Sequence, residues 1–175
     1  MECIVMRRAD LEGLPEIPAL PQQGCRLREY RESDLEALAR LLKTAFEDDN
    51  WTPEQTRKSL PNDPTVKKTF VVEHEGILIA TASVRLLPDR FPGSGYIHWV
   101  GVDPAYRGRQ LGQIVVLATL YDFVLQGCRD AVLETEDFRL PAIRIYRKLG
   151  FTPVYLNDSH RERWAKIDEA MGIGS

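Results

Sequence analysis

The chain has 175 residues, 43% of them hydrophobic and 28% charged, and its net charge is −3. This is the make-up of a soluble globular domain that buries an ordinary core without staples, and it excludes a broad nucleic-acid face, which needs an excess of Lys and Arg. Cys3, Cys25 and Cys128 are odd in number and far apart, against both a disulfide framework and a metal knuckle, and no apolar run reaches the ~18 residues of a membrane span.

Residues 1–24 carry Pro15, Pro18 and Pro21, too dense for a helix and too irregular for a central strand. They read as an appended arm that packs on the domain or on a neighbouring chain. The start shows no apolar signal-peptide region, so a reducing cytoplasm is the expected location. A domain is expected over 25–156 and a helical tail over 157–175.

Cys25–Glu29 suits a first strand. Ser33 and Glu36 have the spacing of a capping box, and Leu35, Leu38, Ala39, Leu42, Ala45 and Phe46 then form one face of a helix. Glu47, Asp48 and Asp49 follow, an acidic loop that either draws a cationic amine or is simply solvated. Pro53–Leu60 reads as a short helix. Thr69–Glu73 and Ile77–Val84 read as two strands joined by the turn Glu75-Gly76.

Tyr96–Val102 is the next strand, and Pro104 limits it because proline cannot donate to a sheet ladder. Arg107, Gly108, Arg109, Gln110, Leu111, Gly112 and Gln113 then make a basic, glycine-containing turn into a helix. Leu111, Ile114, Val115, Ala118, Tyr121, Val124 and Leu125 recur at steps of three and four, one face of that helix. Its first N–H groups lack internal partners and sit at the positive end of the peptide dipoles, so the turn is a candidate seat for a diphosphate. The competing reading is a surface turn with two solvated arginines. Ala131–Thr135 reads as a further strand, Pro141 opens a helix that Gly150 ends, and Thr152–Leu156 suggests a last strand. Ser159 and Glu162 repeat the capping-box spacing ahead of Trp164, Ile167 and Met171.

Arg107-Gly108-Arg109-Gln110-Leu111-Gly112 resembles motif A of the GNAT superfamily of N-acetyltransferases, with Gln110 in place of the middle glycine. Arg139-Leu140-Pro141-Ala142 through Tyr146 to Gly150-Phe151 resembles motif B, with Arg139 in place of the usual asparagine. The resemblance implies an α/β (α+β) fold of the acyl-CoA N-acyltransferase type, a mixed central sheet of about six to seven strands flanked by helices.

It further implies acetyl-CoA as cofactor, no metal, an amine acceptor, and no nucleic-acid or membrane partner, in a monomer or homodimer. The cofactor-binding residues it implies are Val100, Val102, Arg107 to Gln113, Arg139 and Ala142, with the strand at 96–102 parting from the strand at 131–135 to admit the pantetheine. The N–H of Val102 would polarise the thioester carbonyl, and Tyr146 would be the general acid towards the leaving thiol. A lysine-like amine costs about 4.6 kcal/mol to deprotonate at pH 7, so a base helps. Glu134 has the spacing of the base in ribosomal-protein N-terminal acetyltransferases. His98, four residues before Val102, falls on the same strand face by period two. The alternative function is a non-catalytic acyl-CoA binding or sensing module. A nucleotide hydrolase or kinase would need a phosphate-binding loop that this sequence lacks.

Overall fold

The computed structural model describes residues 3–173. Its strands are β1 (Ile4–Arg8), β2 (Cys25–Glu29), β3 (Val66–His74), β4 (Ile77–Leu86), β5 (Ser94–Val102), β6 (Asp130–Thr135) and β7 (Thr152–Val154). Its helices are α1 (Leu35–Phe46), α2 (Pro53–Ser59), α3 (Leu111–Leu125), α4 (Leu140–Lys148) and α5 (Asp158–Ala170). The strands form one seven-stranded mixed sheet in the order β2-β3-β4-β5-β6-β1-β7. Every neighbouring pair is antiparallel except β5 and β6, which run parallel.

Burial fixes the two faces of the sheet. Val71 and Leu78 pack with Leu38, Leu41 and Leu42 of α1, while their chain neighbours Val72 and Ile79 pack with Leu111, Ile114 and Val115 of α3. The largest cluster joins α3 to α4, α5, β1 and β6 through Leu117, Phe123, Ile143, Trp164, Ile4 and Leu133.

Four sequence expectations are corrected. Residues 4–8, read as part of an arm, form β1 between β6 and β7, pairing Val5 with Glu134 on one side and Val154 on the other. Ile4, Val5 and Met6 are buried one after another, as a strand covered on both faces requires, and so run of apolar residues lacks the alternation that marks half-exposed strands. The rest of the segment does pack on the domain, with Leu11 and Leu14 on the main cluster, Leu20 on the α3 face and Ile17 on both.

Second, α3 is buried nearly all round, from Ile114 to Leu120 and at Phe123, whereas Tyr121, Val124 and Leu125 are exposed. An all-apolar helix offers more than one stripe at steps of three and four, so periodicity alone picks the wrong one at its end. Third, Ser33 does not cap α1. Asp34 accepts the Arg31 N–H at 2.7 Å and a bidentate pair from Arg28 at 2.7 and 2.9 Å, closing a 3-10 turn ahead of the helix. Fourth, Asn157 caps α5 by accepting the His160 N–H at 3.1 Å, which places Ser159 inside the helix.

Candidate active site

The site begins where two parallel strands part. β5 pairs with β6 from Ser94↔Asp130 to Ile97↔Leu133 and no further. On its other side, β5 matches His98 to Ser83 and then Gly101 to Thr81, so Trp99 and Val100 face only Ala82. That extra residue is a β-bulge, which bends the strand and strengthens its twist. Trp99 carries it at φ +47°, a left-handed conformation that costs an L-residue about 1–2 kcal/mol. Its indole lies edge-on to Trp51 at 4.7 Å and to Phe46 at 5.3 Å, which holds the bulge in place.

The bulge also corrects the face expected for His98. An added residue reverses the alternation, so His98 shares the face of Thr81 and Gly101, while Val102 shares that of Ala80. Asp103 donates its N–H to the Ile79 carbonyl at 2.9 Å. Alternation along an antiparallel pair therefore turns the Val102 N–H away from β4, into the gap that β6 has left.

Past Val102, Asp103 Oδ1 accepts the Ala105 N–H at 2.8 Å and closes a short 3-10 turn over Pro104–Tyr106. The chain then reverses through Gly108 at φ +77° and Gln110 at φ +60°. Gln110 adopts the conformation that a glycine holds without strain, so the departure from motif A is one of side chain and not of backbone. Among the described residues, the N–H groups from Gly108 to Gln113 have no hydrogen-bond partner. They form a continuous row of donors at the positive end of α3, with no carboxylate capping them. A Cβ on Gly112 would sit 3.0 Å from Ile145 Cδ1, a tight contact that the end of the Ile145 side chain would have to yield to by a few tenths of an ångström. Among the described residues the Arg107 side chain makes no hydrogen bond or ion pair, its main-chain N–H donating to the Pro104 carbonyl at 3.4 Å, and Leu111 turns its side chain into the core.

Beside the gap lies a cavity of about 260 Å³ lined by Cys3, Phe46, Tyr96, His98, Trp99, Glu134, Glu136, Arg139 and Tyr146. The Tyr146 ring packs in the core against Phe151, and among the described residues its hydroxyl has no partner. Burial pushes the phenol well above its ordinary value, so it stays protonated and can donate. Glu134 is already engaged. Arg90 donates to its two oxygens at 2.8 and 2.5 Å, and the Tyr96 hydroxyl donates to Oε2 at 2.8 Å.

The His98 imidazole lies between the rings of Tyr96 and Trp99 and makes no hydrogen bond among the described residues. Burial, helped by the Arg85 charge, lowers its pKa to about 3. Arg139 lies over the rings of Phe46 and Phe138 and pairs with Glu136, which places it in the cavity wall. Ala142 packs on the main cluster at the start of α4.

The sequence-predicted residues thus gather at two adjoining places. Gly108 to Gln113 and Val102 lie along the gap, while Tyr146, Glu134, His98 and Arg139 lie around the cavity. Sequence reasoning did not find Glu136 in the cavity wall or the bulge at Trp99. The bulge has no signal in a single sequence, because tryptophan is not a residue that marks a left-handed turn. Among the described residues, no group of three or more His, Cys, Asp or Glu could hold a metal ion, and no helix is long and apolar enough to cross a membrane.

Comparison with known proteins adds relatives. Residues 35–151 match the model of a family described as Acetyltransferase (GNAT) family. The chain is 35% identical over 158 residues to a mycothiol acetyltransferase of Actinosynnema mirum, covering 86% of this chain and 52% of that protein. It spans about half the length of the curated relatives it matches. Among solved structures, a GCN5-related N-acetyltransferase from Sphaerobacter thermophilus superposes with a TM-score of 0.67 at 24% identity, covering 87% of this chain and 48% of that one. An aminoglycoside N-acetyltransferase in complex with CoA superposes at 0.65 with 18% identity, covering 79% and 95%. At such identities the two structures speak for the fold alone.

Proposed function

The chain belongs to the acetyltransferase (GNAT) family, and on that premise we propose that it is an acetyl-CoA-dependent N-acetyltransferase acting on a primary amine by direct attack, with Tyr146 as general acid. The observation that carries this reading is the unpaired donor row at Gly108–Gln113, which leads to the gap where β5 and β6 part and to the unpartnered Tyr146 hydroxyl. A diphosphate fits the row by charge and by geometry, since the N–H groups converge at a helix N-terminus and the glycines leave room for close approach. When bound, acetyl-CoA supplies an activated acyl group on a good leaving thiol.

The residues of this chain then do the rest. Gly108 to Gln113 and Arg107 hold the anionic end. The Val102 N–H, facing the gap, donates to the oxygen on which negative charge develops, a contact that strengthens as the charge grows. Tyr146 gives its proton to the departing sulfur. A phenol raised by burial is a weak acid towards a thiolate near pKa 8.5, so this donation depends on a well-placed hydrogen bond and on exclusion of water.

For the base, Glu134 is favoured over His98. With its pKa lowered to about 3 by burial and the Arg85 charge, His98 is neutral at pH 7 and holds a proton poorly there, so it serves to orient an amine N–H and not to store its proton. Among the described residues Glu134 Oε1 accepts from Arg90 alone, whose side chain is 55% exposed, so an incoming amine has to displace that one arginine. The names of the curated relatives make a mycothiol-type acceptor the first to test.

The test is release of free thiol from acetyl-CoA with a panel of amines. Replacing Tyr146 by Phe is expected to lower turnover about 100-fold at neutral pH while CoA affinity holds. Equal turnover in Tyr146→Phe removes that residue from the mechanism. Retained CoA binding with no thiol release from acetyl-CoA under any acceptor would point to a binding module instead.

A further inference from the structure

The end of the N-terminal segment reaches the anion turn. Arg109 donates from Nη1 to Gln22 Oε1 at 2.8 Å, a contact between residues 87 apart in sequence, and its guanidinium lies 5.1 Å from the Tyr106 ring centroid. Gln22 Nε2 is 2.8 Å from His74 Nε2. An arginine only donates and an amide nitrogen only donates, so the carbonyl of Gln22 must face Arg109 and His74 must accept. Both ends of the amide are therefore engaged, which fixes its direction. Leu20 anchors the segment on the cluster that α3 forms with the sheet, and Cys25 donates its N–H back to the main-chain carbonyl of Gln22 at 3.3 Å.

We propose that Gln22 is a positioning residue for the anion turn: a neutral amide that sets the direction of the Arg109 guanidinium without cancelling its charge. The proposal rests on the reading of Gly108–Gln113 as the seat of the CoA diphosphate. Arg109 is exposed, and an exposed arginine samples many rotamers, so ordering it in advance removes part of the entropy lost when an anion binds. The stack on Tyr106 and the bond to Gln22 occupy one face and one N–H group, and among the described residues its other N–H groups have no partner. A carboxylate at position 22 would orient the guanidinium equally well, but it would neutralise the charge that an anion needs. Gln22 lies outside residues 35–151, the part that matches the family model.

The test is calorimetry of CoA, and of pantetheine lacking the diphosphate, with wild type, Gln22→Ala, Arg109→Ala and the double variant. Gln22→Ala is expected to weaken CoA about three- to ten-fold, to leave pantetheine affinity unchanged, and to cost nothing further in the Arg109→Ala background. An equal loss in both backgrounds would mean that Gln22 acts through general packing, and the proposal falls. Gln22→Glu keeps an acceptor for Arg109 and adds a negative charge, so it is expected to weaken CoA more than Gln22→Ala does. CoA affinity at or above the wild-type value in Gln22→Glu overturns the proposal even where the alanine variant folds poorly. Wild type that binds pantetheine and CoA equally well overturns the diphosphate seat itself, a result separate from any effect at position 22.

Discussion

At the scale of the residue, the candidate site holds polar groups whose titration has been moved by burial. His98 is the clearest, because its imidazole lies among aromatic rings and beside Arg85 with no hydrogen-bond partner among the described residues. Its folded pKa of about 3 lies below the ordinary 6.5, so the unfolded chain takes a proton between those values and the folded chain does not. The neutral site is therefore at full advantage above pH 6.5, and that advantage is lost as pH falls from 6.5 towards 3. Replacing His98 by Gln is expected to flatten the acid side of the stability curve in that window by a few kcal/mol, as read from denaturant midpoints at successive pH values. An unchanged slope would mean that His98 is solvated. The sequence singled out Tyr146 and Glu134 from family spacing and His98 from strand alternation. It could not show that Arg90 and Tyr96 already occupy Glu134, since those partners come from a loop and a neighbouring strand.

At the scale of the element, two backbone irregularities make the site, and they differ in how they can be read. The turn at Arg107–Gly112 is legible, because a proline, two glycines and the start of an apolar helix fall in order. Gln110 hides the second left-handed residue of that turn. Its φ of +60° and lack of a side-chain cap bond make it a strained position held by its surroundings. Gln110→Gly is expected to raise stability by up to about 1 kcal/mol, the relieved strain being partly offset by the greater freedom of glycine in the unfolded chain. Cofactor affinity should hold, because the donor is the main chain. A lower melting temperature would show that the Gln110 side chain contributes packing that its exposure conceals. The bulge at Trp99 is not legible, and it reverses the period-two argument that put His98 and Val102 on one face. A pattern of period two is only as reliable as the assumption that no residue has been inserted.

At the scale of the whole molecule, the sheet order and the mixed layers follow from strands and helices that the sequence marks well between Cys25 and Val154. The edge beyond β6 was the unreadable part. The strand that fills it comes from residues 4–8, distant in sequence from both partners, and its three buried apolar residues alone do not announce a strand. β1 pairs with Glu134 at one end of the chain's first segment, and Gln22 reaches the anion turn at the other, so one segment touches both halves of the candidate site. The central claim is that the free main-chain donors at Gly108–Gln113 take the CoA diphosphate and so aim the acyl group at Tyr146. The most direct measurement is amide NMR of the labelled protein titrated with CoA. The amide protons of Gly108 to Gln113 are expected to shift downfield and to gain protection from exchange, and pantetheine should leave them in place. Saturating CoA that moves other amides and leaves this row unshifted would contradict the account.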